Sequence, residues 1–194
     1  MLRKLLWVAL AIMLASCRTV PVRQTVAQSW DARRPQLQAR DRFELRGRVA
    51  VATGSEGFNA RLRWTQDGKQ TRMSLDGPLG AGGVQVTSDG AAISIVTSRG
   101  DHLDNDAARA ELASRLGFDP PLDSLRYWIL GVPEPGQPDQ ESLDAQQRLS
   151  TLQQNGWQID YTDYISVRGE WLPSKLTLQR QGVRLRVIVD GWNS

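Results

Sequence analysis

Apolar and polar residues alternate with a period of two from Phe43 onward, which is the spacing of a β-strand with one buried face. The first segment has apolar Phe43, Leu45, Val49 and Val51, and Gly47 interrupts it. The apolar positions of the next segments are Phe58, Ala60, Leu62, Trp64, Met73, Leu75, Val84, Val86, Ile93 and Ile95. Asp-Gly turn signals separate several of these segments. The pattern predicts antiparallel strands with one apolar and one solvated face.

Helical spacing appears in the middle of the chain. The first predicted helix runs from an N-cap at residues 104–106 to Leu116, with Ala107 and Ala110 on the same apolar stripe. The second lies within residues 121–130, which end in a Gly and Pro stop signal.

A further short helix is predicted within residues 30–42, although Pro35 weakens it. Alternation returns in residues 157–161, 176–178 and 183–189. Strands, then two short helices, then strands again indicate an α+β fold that is mostly β, with an antiparallel sheet curled around an insert of helices.

The N-terminus has the pattern of a bacterial lipoprotein signal. Arg3 and Lys4 precede an apolar run over residues 5–15, which is too short for a ~30 Å hydrocarbon core that needs ~20 apolar residues. Residues 14–17, Leu-Ala-Ser-Cys, resemble the lipobox, in which the cysteine thiol takes a diacylglyceryl group before cleavage. The alternative is an ordinary secretory signal with a chance cysteine, but Cys17 is the only cysteine and secreted domains normally pair theirs.

These observations divide the chain into three parts. We expect residues 1–16 to be a signal peptide, residues 17–28 a lipidated tether and residues 29–194 a single domain. The resemblance to lipobox cysteines implies three acyl chains on Cys17, and two or more chains hold a protein stably on a membrane. Arg18 follows, where an Asp commonly retains proteobacterial lipoproteins in the inner membrane, so Arg18 favours the outer membrane.

Charge gives no support to nucleic-acid binding. The chain has 24 Lys and Arg against 21 Asp and Glu, with a formal net charge of +3. Loss of Arg3 and Lys4 with the signal would lower this charge to about +1, and the remaining sequence suggests no dense basic stripe. Arginine nevertheless occupies the outward positions of the predicted strands.

No catalytic or cofactor site can be assembled from the sequence. His102 is the only histidine, and residues 80–83 are glycine-rich but lack the Lys-Ser/Thr of a P-loop. Carboxylates such as Glu170 and Asp190 are interpreted as solvated charges. We therefore expect neither an enzyme nor a metal or cofactor.

The segment of residues 76–83 is predicted to be an exposed turn between two strands. Pro78 fixes φ and the glycines, Gly80 among them, allow tight backbone conformations. Leu79 is the one large apolar side chain of this turn. It either folds back onto the core or is displayed and dips into lipid.

Several segments resemble the LolB family of outer-membrane lipoprotein receptors. They are Arg46-Gly47-Arg48-Val49-Ala50, Ala60-Arg61-Leu62-Arg63-Trp64, Gly77-Pro78-Leu79-Gly80, Pro121-Leu122 through Leu125, Tyr127-Trp128-Ile129-Leu130-Gly131-Val132-Pro133, Gly156-Trp157-Gln158-Ile159-Asp160-Tyr161, Leu172-Pro173 and Trp192. The resemblance implies an incomplete, strongly curved β-barrel with an apolar cavity and a lid of short helices. It also assigns Leu79, with Pro78 and Gly80, to a membrane-insertion loop, although Gly82 and Gly83 make this loop richer in glycine than the family pattern.

The resemblance further implies a function. The family receives acylated lipoproteins from the soluble periplasmic carrier LolA and inserts them, without ATP, into the inner leaflet of the outer membrane of Gram-negative bacteria. We therefore interpret residues 29–194 as a lipoprotein-binding domain that faces the periplasm, and we expect a monomer.

The strand alternation supplies candidates for the wall of the acyl-chain cavity. They are Phe58, Leu62, Trp64, Met73, Leu75, Ile93 and Ile95. A cavity wall and a packed core have the same period, so both interpretations remain open for each residue. The alternative functions are a non-catalytic lipoprotein that docks an envelope assembly complex and, less favoured, a hydrolase that uses His102.

Overall fold

One continuous antiparallel sheet dominates the computed structural model, which describes residues 29–54, 56–78 and 82–193. The described helices are α1 Trp30–Gln38, α2 Asn105–Leu116 and α3 Leu122–Trp128. The described strands are β1 Arg42–Thr53, β2 Glu56–Asp67, β3 Gln70–Asp76, β4 Val84–Ser88, β5 Ile93–Thr97, β6 His102–Asp104, β7 Asp139–Leu143, β8 Leu149–Gln154, β9 Trp157–Val167, β10 Glu170–Arg180 and β11 Val183–Asn193. The predicted signal peptide and the whole predicted tether, with Cys17, lie outside the described residues, as do Leu79 and Gly80.

The strand order is β6-β5-β4-β3-β2-β1-β11-β10-β9-β8-β7. Every neighbouring pair of strands is antiparallel. All of these pairs are consecutive in sequence except β1 and β11, which join the two halves of the sheet at its centre. Strands β6 and β7 form the two edges, so the sheet is not closed. The mostly β, α+β fold expected from the sequence is confirmed.

Gly47 belongs to the continuous strand β1 and does not interrupt its alternation. The β1–β11 register shifts between Arg46 and Gly47, as at a β-bulge. A Cβ at Gly47 would overlap the carbonyl oxygen of Ile188 on β11. Glycine is therefore required here because the two backbones approach too closely for a side chain.

Helix α1 packs at the β7 edge of the sheet. The Trp30 indole N–H donates to the Glu141 carboxylate over 2.6 Å, and the Arg34 guanidinium lies 2.9 Å from Asp139 and 2.8 Å from Glu141. Burial raises the pKa of Glu141, and the Trp30 and Arg34 contacts oppose that effect. Leu37 is 1% exposed, so α1 is part of the domain core.

Helix α2 lies where the sequence predicts it, but its buried stripe differs. It ends at Leu116, and Gly117 follows with a left-handed φ of 76°. Ala108, Leu112 and Leu116 are buried, whereas Ala107 and Ala110 are exposed, so only Leu116 of the predicted stripe is correct. Both stripes have helical spacing, and the one that buries Leu112 removes more apolar surface from water.

The outward positions of β1, β2 and β11 carry arginines that the fold brings together. This arginine face consists of Arg46, Arg48, Arg61, Arg63, Arg184 and Arg186, all exposed. The expectation that no dense basic stripe remains is therefore wrong for the folded surface, because strand pairing gathers charges that are dispersed in sequence. Among the described residues, no helix combines the length and apolarity that crossing a membrane would take.

Candidate functional site

A small cavity lies between the inner face of the sheet and helices α2 and α3. Its volume is about 70 Å³. This inner cavity has only apolar wall residues: Val49, Val51, Leu62, Trp64, Met73, Leu75, Val86, Leu112, Leu116, Phe118, Pro120, Leu122, Leu125, Ile129, Leu176, Leu178, Leu185 and Val187. The sheet supplies one wall, and α2, α3 and the segment between them supply the other.

Four of the seven cavity candidates from the sequence, Leu62, Trp64, Met73 and Leu75, line the inner cavity. The other three do not. Phe58 is half-buried near the start of β2, opposite Val51. The remaining two, Ile93 and Ile95, are 2% and 0% exposed on β5 within the packed core. That the wall residues bind acyl chains stays a prediction.

The sequence-based list omitted three groups of wall residues. The first comes from the helical side, the second is Val49, Val51 and Val86 on β1 and β4, and the third comes from β10 and β11, with Leu176, Leu178, Leu185 and Val187. The signal for the third group was present as alternation in residues 176–189. What was missing is the pairing of β1 with β11, which places the last strands beside the first.

Buried Gln154, 3% exposed, fixes the C-terminal end of α3. Its side-chain oxygen accepts hydrogen bonds of 2.8 Å from the Trp128 indole N–H and the Glu134 backbone N–H. Its amide nitrogen donates to the Glu134 carbonyl over 3.0 Å. One side chain thus joins α3, the segment after it and strand β8, and it satisfies the buried indole N–H of Trp128.

Further polar contacts extend this attachment. The Ser124 hydroxyl donates to the Glu134 carboxylate over 2.7 Å, and the Asn155 amide donates to both groups. The Tyr161 hydroxyl donates to the Trp128 carbonyl over 2.9 Å. Burial raises the pKa of Tyr161 well above its ordinary value, so the phenol keeps the proton it donates. We call Ser124, Trp128, Glu134, Gln154, Asn155 and Tyr161 the α3 anchor.

Helix α2 is attached differently. Within the described residues, two side-chain hydrogen bonds join it to the rest of the chain, and both lie at its C-terminal end. The Thr53 hydroxyl donates to the Leu116 carbonyl over 3.3 Å, and the Arg115 guanidinium donates to the Gly82 carbonyl over 3.0 Å. The remaining attachment is apolar, through Ala108, Leu112 and Leu116.

The predicted insertion loop follows β3. Pro78 is exposed at its start. Asp76, the last residue of β3, accepts hydrogen bonds from Arg63 over 3.1 Å and from the Ser74 hydroxyl over 2.9 Å. Leu79 and Gly80 are outside the described part of the chain, so their predicted role stays a prediction.

The described residues provide little on which to base a catalytic site. Within residues 29–54, 56–78 and 82–193, no three His, Cys, Asp or Glu side chains are grouped so that they could hold a metal ion. His102 is exposed on the edge strand β6.

Residues 41–192 match the family model described as outer membrane lipoprotein LolB. The chain is 36% identical over 187 residues to the outer-membrane lipoprotein LolB of Nitrosococcus oceani, covering 93% of this chain and 92% of that one. It is 31% identical over 166 residues to the protein of the same name from Pseudomonas paraeruginosa, covering 86% and 81% of the two chains.

Solved structures share the fold at much lower identity. A LolA superfamily protein from Nitrosomonas europaea superposes with a TM-score of 0.56 at 9% identity, covering 86% of this chain and 94% of that chain. A DUF1329 family protein from Desulfovibrio piger gives a TM-score of 0.57 at 7% identity, covering 84% and 90%. At these identities the likeness concerns the fold alone.

Proposed function

Because the chain belongs to the family of outer membrane lipoprotein LolB, we propose that it receives acylated lipoproteins from a LolA-like periplasmic carrier and inserts them into the inner leaflet of the outer membrane. The transfer needs no ATP. The protein acts as a monomer, is held on the membrane by acyl chains on Cys17, and faces the periplasm. It is a lipoprotein-localisation protein and not an enzyme.

The inner cavity is the observation that carries this proposal. Its wall is wholly apolar, as a binding site for hydrocarbon requires. Its volume of about 70 Å³ is well below the roughly 300–1,000 Å³ of sites that enclose small ligands. The described conformation is therefore a closed one, and an acyl chain enters only when part of the helical lid moves away from the sheet.

The direction of transfer follows from the burial of hydrocarbon. Each methylene that leaves water contributes about 0.8 kcal/mol of favourable free energy. The acyl chains of the cargo therefore pass from one apolar binding site to the next and not through solvent. A difference of about 1.4 kcal/mol in binding free energy between two sites is a tenfold difference in affinity. Transfer therefore runs towards the membrane without nucleotide hydrolysis if the receptor cavity binds acyl chains slightly more tightly than the carrier does and the membrane binds them most tightly.

The lipid anchor on Cys17 keeps the receptor domain close to the bilayer. Residues 18–28 connect it to the described domain, and a segment of this length spans at most about 40 Å. The loaded receptor is therefore confined to the vicinity of the bilayer, which raises the effective concentration of the delivery step.

A quenching experiment tests uptake into the cavity. The full acylated chain in detergent is mixed with a peptide that carries brominated acyl chains, because bromine quenches indole fluorescence on contact. Trp64 lines the cavity, whereas Trp171 is 46% exposed and outside it. We expect Trp64→Phe to remove most of the quenched component and Trp171→Phe, the matched control, to leave it.

The same experiment separates the proposal from its alternative. If the brominated peptide quenches no tryptophan, or if Trp171→Phe removes the effect and Trp64→Phe does not, then the cavity does not take acyl chains. The chain would then be better described as a lipoprotein that docks an envelope assembly complex.

The predicted insertion loop is tested by Leu79→Glu. A carboxylate at this position opposes contact with hydrocarbon, so we expect near-normal folding and uptake of cargo with a large loss of insertion into vesicles. Leu79→Met keeps an apolar side chain and should insert cargo normally. A Leu79→Glu variant that unfolds or takes up no cargo would mean that Leu79 belongs to the core.

A further inference from the structure

The arginine face places like charges directly opposite one another. In the β1–β2 register Arg46 lies opposite Arg63, and Arg48 lies opposite Arg61. Like charges at opposed positions destabilise an antiparallel pair. Repulsion between these guanidinium groups therefore lowers the stability of the fold slightly. An external anion bound between them would reduce this repulsion.

Acidic neighbours neutralise only part of this charge. The described ion pairs join Arg46 to Glu44 at 3.5 Å, Arg48 to Asp190 at 2.9 Å and Arg63 to Asp76 at 3.1 Å. These side chains are 39–67% exposed, and such surface pairs are weak.

The other three arginines of the face are Arg61, Arg184 and Arg186. Within the described parts of the chain, none of these three forms a salt bridge, unlike Arg46, Arg48 and Arg63. The face therefore keeps a net positive charge towards solvent.

A groove runs across this face beside the predicted insertion loop. Its volume is about 340 Å³, and Arg48, Arg61 and Arg186 stand around Ala50, Ile188 and Pro78. Asp76 also lines it, with its carboxylate engaged by Arg63 and Ser74. Guanidinium groups bind phosphate through paired, directed hydrogen bonds. The apolar side chains of Ala50, Ile188 and Pro78 in the same groove suit the glycerol region of a phospholipid.

We propose that the arginine face and its groove bind the phosphate headgroups of an anionic bilayer and so orient the receptor with the loop after Pro78 towards the membrane. This inference rests on the proposed function, which places that loop at the bilayer. It adds the surface that selects the orientation, since a tether alone allows any side of the domain to reach the lipid. The outer side of β9 carries Asp160 and Asp163 instead.

Site-directed fluorescence tests the orientation. The only native cysteine is Cys17, which acylation blocks, so an introduced cysteine is the single site for a thiol-reactive fluorophore. Asn59→Cys places the label in the groove. Gln158→Cys, exposed on β9, is the matched control. The full acylated chain is reconstituted in phosphatidylcholine vesicles, with or without phosphatidylglycerol, that contain a nitroxide quencher on the lipid headgroup.

The proposal predicts quenching of the Asn59→Cys label in phosphatidylglycerol vesicles, much weaker quenching in neutral vesicles, and little quenching at Gln158→Cys. Each arginine near an anionic surface contributes about fivefold to binding. Arg61→Gln with Arg186→Gln should therefore lower the ratio of docked to undocked protein on the order of 25-fold, and added salt should act in the same direction. Lysine at both positions keeps the charge and most of the docking.

Arg99→Gln, an exposed charge on the β5–β6 turn, controls for net charge and should not change the docked fraction. Equal quenching at the two label positions, or quenching that is indifferent to phosphatidylglycerol and to the arginine pair, would overturn the proposal. A label that responds to the periplasmic carrier but not to vesicles would overturn it in favour of a protein partner. Cargo uptake measured with the brominated peptide is a separate readout, so failure of the proposed function is recognised independently.

Discussion

Helices α2 and α3 cover the same cavity but are held in place by different forces. The α3 anchor is a network of directed hydrogen bonds built on Gln154, Ser124 and Tyr161. Helix α2 relies on apolar contacts and on two side-chain hydrogen bonds at its C-terminal end, within the described residues. Directed hydrogen bonds therefore hold α3 in place, whereas α2 is held mainly by the burial of apolar side chains.

This difference indicates how the cavity opens. Apolar contacts are non-directional, and an acyl chain can replace them with equivalent contacts of its own. Buried hydrogen bonds offer no such exchange, because a displaced donor or acceptor finds no partner in hydrocarbon. We therefore expect α2 to move away from the sheet during uptake while α3 remains as a fixed wall.

Removal of the centre of the α3 anchor should have the largest effect. Gln154→Ala leaves the buried Trp128 indole N–H and the Glu134 backbone N–H without their acceptor, and we expect the free energy of unfolding to fall by about 3 kcal/mol. Urea unfolding monitored by circular dichroism measures the change. Gln153→Ala alters the exposed neighbour on the same strand and should change stability by less than about 0.5 kcal/mol. Similar losses in both variants would contradict the assigned role of the anchor.

A peripheral member of the anchor should matter less. Ser124→Ala removes the hydroxyl that donates to Glu134 and accepts from Asn155, and we expect a loss of about 1.5 kcal/mol. Hydrogen exchange should become faster in α3 and stay unchanged in α2. Ser166→Ala, at an exposed position of β9, is the control. Faster exchange in α2 instead would mean that the two helices move as one unit.

The smallest change in global stability is expected from α2. Arg115→Ala removes the hydrogen bond to Gly82 and the 2.7 Å ion pair with Glu111, which together contribute about 1 kcal/mol or less. Amide exchange in α2 should nevertheless accelerate, and the lipidated peptide should be taken up faster. Arg109→Ala, exposed on the same helix, should change neither. Slower uptake in the Arg115 variant would refute the expectation that α2 is the moving part.

The sequence predicted those parts of the fold that depend on local periodicity. Alternation identified β1 to β5, and helical spacing identified α2 up to its end at Leu116. Strands β7 and β8 were missed because polar side chains occupy most of their positions, so no apolar period marks them. The stripe of α2 was misplaced because alanine is too small to show which face is buried.

The α3 anchor was invisible in sequence for a different reason. Residues 153–155 read as a polar Gln-Gln-Asn segment, which is typical of a solvated turn. Gln154 becomes buried only because the β8–β9 register sets it opposite Trp157 and turns it towards α3. Such a role depends on contacts between distant segments, which periodicity in a single sequence does not report. The arginine face was underestimated for the same reason.

The pairing of β1 with β11 also constrains the order in which the chain acquires its structure. Glu44 near the start of the domain pairs with Asn193 near its end, so the central seam of the sheet forms only after nearly the whole polypeptide is present. Contacts of such wide sequence separation slow folding. Until then β1 is an unpaired edge with an apolar face, a hazard for aggregation. A newly exported chain would therefore avoid aggregation only if β11 is exported and pairs with β1 soon after β1 itself.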